Sequence, residues 1–139
     1  REASEEEPAE SEGCAKDLCH LQYGLRAEIA QLAAEMEASE TERPPAEELT
    51  RIKEAIQELQ LTKFEPIVDS APKVQAKYGM GAFAEIFGPF SSAERNVNRA
   101  WSALVDEHFP EARDSMKSAA DSLTEAHGVL SRVVKEARA

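Results

Sequence analysis

The chain has 139 residues and a formal net charge of −11, from 27 acidic against 16 basic side chains. That length suits one domain with a real core. The charge, with no Lys/Arg cluster, excludes a nucleic-acid backbone or an anionic membrane surface as partner. No apolar stretch approaches the roughly 20 residues that cross a bilayer, so no membrane insertion is expected.

Composition points to helix throughout. Ala occurs 23 times beside many Glu, Leu, Gln, Lys and Arg, all good helix formers. No alternating run of Val, Ile, Thr or Tyr reads as a half-buried strand.

Residues 1 to 12 carry six Glu, one Arg and no large apolar side chain. Such a segment buries too little to offset its ordering entropy, so it reads as a disordered acidic tail. Residues 13–139 read as a single helical domain. The first helix is expected from about Cys14 to Ser39, where Cys14, Leu18, Leu21, Leu25, Ile29, Leu32 and Met36 recur at steps of three and four. Gly24 is its weak point. Pro44 and Pro45 end it, because residues before proline leave α geometry.

A second helix starts near Pro45, with Glu47 and Glu48 in its first turn, where the helix dipole favours acids. Leu49, Ile52, Ile56 and Leu59 continue the spacing, which then loosens. Pro66 and Pro72 remove backbone donors, so residues 64 to 90 read as short helical pieces and loop. That stretch ends in a run rich in Gly and Phe. A third helix is expected after Pro89, with Ser91 and Glu94 as a capping box and Ala93, Val97, Ala100, Trp101 and Leu104 on its stripe. It stops near Asp106-Glu107-His108. The fourth begins at Pro110 and carries Ala112, Met116, Ala119, Leu123, Ala126, Leu130, Val133 and Ala137. Four helices with short connections predict an all-α antiparallel bundle with an irregular connection containing Pro, Gly and Phe.

Within the last two helices, Ala100, Phe109, Glu111-Ala112, Met116 and Ala119 fall where a helical hairpin alternates small and large residues. Residues 93–123 resemble a single tetratricopeptide-type hairpin. The resemblance implies two antiparallel helices joined by a tight turn. It is one unit, so it implies neither an array nor an array's peptide groove.

The one short stretch with chemical content is Cys14-Ala15-Lys16-Asp17-Leu18-Cys19-His20. Two Cys and an adjacent His resemble a wide-spaced variant of the c-type haem attachment motif. That resemblance implies haem c linked through Cys14 and Cys19, with His20 as the proximal iron ligand. Met80 heads the candidate sixth ligands, with His108, His127, Met36 and Met116 behind it. Other readings stay open. Cys14 lies on the apolar stripe and suits the core. A disulfide to Cys19 requires the first turn to unwind, since five helical residues rise about 7.5 Å. A metal or redox site would use His20 with the two thiols. The chain begins at Arg1, and the paired cysteines set the expectation of an exported or periplasmic location.

Seven of the eight aromatic residues lie between Phe64 and Phe109. Phe83, Phe87, Phe90 and Trp101 are candidate partner-binding residues, with core packing as the plainer role. No di-iron Glu-x-x-His pair, phosphate loop or nucleophile elbow is present. The expectation is a non-enzymatic helical interaction module for a protein partner, without a cofactor. A small haem c protein and an extracytoplasmic metal or redox protein are the alternatives.

Overall fold

The three-four spacings fold as helices. The computed structural model describes residues 10–38 and 44–138, with side chains from 17 to 38 and from 44 to 137. α1 spans Glu10–Ala38, α2 Ala46–Leu59, α3 Glu65–Asp69, α4 Ala71–Val105 and α5 Phe109–Arg138. A π turn, Gln60–Phe64, joins α2 to α3, and among the described residues every element is helical. The acidic segment up to residue 9 lies outside the described residues. α1 starts at Glu10, four residues ahead of the expected Cys14.

Residues 64–90, expected as short pieces and loop, are almost wholly helical. Ser70 donates its N–H to the Pro66 carbonyl at 3.2 Å, and Val74 to the Ser70 carbonyl at 3.1 Å, so α2, the π turn, α3 and the start of α4 form one rod over residues 46–78. The π turn accounts for the loosened pattern. Core positions step from Leu59 to Phe64, five residues rather than four, and both are buried. The wider turn absorbs the extra residue just ahead of Pro66, whose ring would clash with the carbonyl four residues earlier in a regular helix. Phe64 thereby turns inward, and Lys63 swings to the flank, where it meets Glu28 of α1 at 3.3 Å.

The break comes at Gly79, the only residue in α4 with non-helical geometry (φ 92°, ψ 169°). Gln60 donates a side-chain hydrogen bond to Asn98 Oδ1, and each lies nineteen residues from Gly79. A straight helix would hold them about 57 Å apart at 1.5 Å per residue. The chain therefore reverses at Gly79, and residues 80–105 run back along the rod. Pro89 lies inside this returning helix, where the expected start was. Its missing N–H costs one backbone bond, about 3 kcal/mol, offset by burial of Ile86, Pro89 and Phe90 on that turn. Ser91, expected as a cap, is exposed in mid-helix.

α4 ends in a Schellman motif. His108 N–H reaches the Ala103 carbonyl at 2.7 Å and Glu107 N–H the Leu104 carbonyl at 3.1 Å, with Glu107 at φ 64°. α5 then returns along α4. Ser92 and Ser122 share a hydrogen bond at 3.1 Å, and Arg132 pairs with Glu85 at 3.1 Å. The hydrogen bond that Arg132 donates to Glu85 and the Glu85 charge, with Glu136 assisting, raise the Arg132 pKa above its usual value.

α1 completes an antiparallel bundle of four rods. It meets the second rod through Glu35–Arg51 at 2.9 Å and Glu28–Lys63. It meets α5 through Gln22, 1% exposed, whose Nε2 donates to the Leu123 carbonyl at 3.0 Å. That bond satisfies an amide that would otherwise be costly to bury. The predicted stripes supply much of the core, with Leu18, Leu25, Ile29 and Met36 of α1, Ile52, Ile56 and Leu59 of α2, and Ala112, Met116, Ala119, Leu123, Ala126 and Leu130 of α5. Leu21 and Leu49 are only partly buried, while Phe64, Ile67, Val74, Ile86 and Phe90 join from outside the stripes. Ala137, expected on the last stripe, is exposed, where α5 runs out past its buried neighbours.

Candidate functional site

α1 runs unbroken through Cys14, Cys19 and His20. The two cysteine positions are thus about 7.5 Å apart along a formed helix, beyond the reach of a disulfide. Cys19 and His20 face solvent, while the Cys14 side chain lies outside the described ones. Among the described residues no group of three or more His, Cys, Asp or Glu is placed to hold a metal ion.

Met80 is not near this pair. It is the first residue past the reversal at Gly79 and is 64% exposed. His20 lies two residues from Gln22, which meets Leu123 at the level of the Ser92–Ser122 contact. Met80 lies twelve residues before Ser92, so it sits about 15 Å from His20 along the bundle axis. One iron would not be shared between them in this fold. Of the further sulfur ligands weighed, Met36 and Met116 are wholly buried in the core. His108 and His127 are exposed, and His108 pairs with Glu111 at 3.1 Å.

The aromatic candidates divide. Phe90 is a core residue and so presents nothing to a partner. Phe83 and Phe87 are half-buried, with ring centroids 5.0 Å apart, and Phe87 leans on Phe90 at 5.8 Å. These tilted pairs add about 0.5–1.5 kcal/mol each beyond burial. Trp101, expected on the stripe of its helix, is half-buried. It lies one turn beyond Asn98, on the side of α4 that meets the second rod. Its indole N–H is buried without a hydrogen-bond partner.

No protein-family model matches the chain, and no curated protein or solved structure resembles it.

The surface feature missed in the sequence lies on the π turn. Leu61 is 67% exposed and Val68 50%, about 10 Å apart along the rod. Leu61 follows Gln60, whose amide bridges to Asn98 at the seam that also carries Trp101, and projects about 100° farther round the rod from that contact. The one available signal was the shift from steps of three and four to a step of five after Leu59. On the opposite side of α4, Arg99, Ala103, Glu111, Asp114 and Ser115 line a shallow depression of about 340 Å³. It has one guanidinium and two carboxylates, all with solvent access. Residues 93–123, which carry the tetratricopeptide-type resemblance, occupy the end of α4, the turn and the first half of α5.

Proposed function

We propose that this chain is a non-enzymatic helical interaction module whose docking face is the seam between the second rod and α4. The supporting observation is Leu61, 67% exposed on a π turn beside the Gln60–Asn98 bridge. π turns inside helices recur at functional positions because they present side chains that a regular helix would place elsewhere. Val68 adds a second exposed apolar side chain along the rod, and Trp101, Phe87 and Phe83 are half-buried on the side of α4 that carries Asn98. With a net charge of −11, the complementary partner is a protein surface with basic residues around an apolar centre.

A photo-crosslinking amino acid at position 61 of the full chain tests this in cells, with one at exposed Glu125 on α5 as control. A discrete adduct is expected from position 61 only, and Val68→Glu should abolish it. Equal labelling from 61 and 125 would sink the assignment of this face.

A further inference from the structure

The reversal at Gly79 uses a single residue. Helix runs up to Tyr78 and resumes at Met80, with no loop between. The backbone at Gly79 (φ 92°, ψ 169°) is open to glycine and strained for any L side chain. All else in residues 71–105 is helical, so rotation of Gly79 into α geometry would make one continuous helix from α3 through the end of α4. The bundle would then open into two halves, residues 10–78 and 80–138. Each exposes the apolar stripe that the other had covered, so an opened chain is completed only by the complementary half of another copy. Single-residue connections between long packed elements favour such exchange.

The hinge surface fits the same outcome. Tyr78-Gly79-Met80-Gly81-Ala82-Phe83-Ala84 has no charged residue in a chain that is 31% charged. Met80 is 64% exposed at the tip, and Gly79, Gly81 and Ala84 are exposed beside it. In an exchanged pair, two copies of this segment would cross antiparallel. Their small residues would let the backbones approach closely, and each Met80 would gain apolar cover. A pairing of two chains of net charge −11 is otherwise disfavoured, but exchange reuses the contacts of the monomer and places only the uncharged segment in the new interface.

We infer that a second copy of this chain is a partner, joined by exchange of helices through straightening at Gly79. Gly79→Ala acts on both sides of the equilibrium. It strains the reversed backbone and favours the straight helix, at two hinges per dimer. The dimer dissociation constant should fall by about a hundredfold or more.

The experiment uses the full chain, refolded at high and low concentration, with mass read by size exclusion and light scattering. Gly79→Ala should be a helical dimer, whereas insertion of Gly-Ser-Gly-Ser after Gly79 should remove any dimer the unmodified chain forms. Connectivity is read with Gln60→Cys and Asn98→Cys, placed in a Cys14→Ser, Cys19→Ser background. Their disulfide should lie within the chain in the monomer and between chains in the Gly79→Ala dimer. A folded Gly79→Ala monomer overturns the inference, as does a dimer whose disulfides stay within chains. So does a Gly79→Ala chain that loses its helical signal at every concentration, or a dimer undiminished by the insertion.

Discussion

The second rod and α5 both run the length of the bundle, yet they bury their stripes in different ways. In α5, Phe109, Ala112, Met116, Ala119, Leu123, Ala126, Leu130 and Val133 are buried at unbroken steps of three and four. In the rod, Ile52, Ile56, Leu59, Phe64, Ile67 and Val74 are buried, with a step of five at the π turn and of seven across Ser70. The rod contains Pro66 and Pro72, and α5 contains proline only in its first turn. A helix can therefore carry internal proline and still line a core: ahead of Pro66 one extra residue resets the phase, whereas Pro89 in α4 is accommodated without one. The extra residue leaves Leu61 outside, so the place where the rod tolerates proline is also where it has apolar surface to spare.

Deleting one residue should separate the two cases most sharply. Removal of exposed Asp121 from α5 rotates one half of the helix by about 100° against the other. Either Ala112–Ala119 or Leu123–Val133 then leaves the core, and loss of the cooperative thermal transition is expected. Removal of Thr62 from the π turn instead restores a step of four between Leu59 and Phe64. Its cost is the clash of Pro66 in a now regular helix, about 3 kcal/mol. Combining the deletion with Pro66→Ala should bring the denaturation midpoint back near the wild type. An unfolded double variant would mean that the π turn serves more than the proline.

The same contrast explains what was legible in the sequence. α5, α2 and the α1 stripe were readable because period and burial coincide from Leu18 to Met36, from Ile52 to Leu59 and from Ala112 to Val133. The rod beyond Leu59 was not, because a phase shift of one residue resembles loss of pattern. Gly79 was visible as a glycine, but with Gly81 and Pro89 nearby it read as loop. Only the long-range Gln60–Asn98 contact reveals a one-residue reversal. Aromatic clustering located Phe83, Phe87, Phe90 and Trp101 but not their division between core and seam. That division depends on which rod lies against each side of α4.

Trp101 tests the seam at intermediate size. A fully buried aromatic would lose about 3–5 kcal/mol on truncation to Ala. Trp101 is only half-buried, and its indole N–H has no partner to lose. Trp101→Ala should cost about 1–3 kcal/mol in urea denaturation. Phe64→Ala, on the facing rod and buried, should cost about 3–5 kcal/mol. Equal losses would show that Trp101 supports the core as fully as Phe64 and would remove it from the exposed seam.

The smallest effect concerns the contact between α1 and the π turn. Gly24 lies in mid-helix, where glycine is less favourable than alanine by about 1 kcal/mol. A Cβ there would meet only Lys63 Nζ, at 3.8 Å, an ordinary van der Waals distance to the end of a flexible side chain. Lys63 crosses this point because the π turn moves it off the core line toward Glu28. The Glu28–Lys63 pair is exposed and contributes little, about 0–1 kcal/mol. Gly24→Ala should therefore raise stability by about 0.4–1 kcal/mol, partly by narrowing the unfolded ensemble, with a matching rise in midpoint. A loss of stability instead would show that α1 depends on the missing side chain to approach the π turn. The α1–rod contact would then be as tightly specified as that between α1 and α5, where Gln22 is pinned to Leu123.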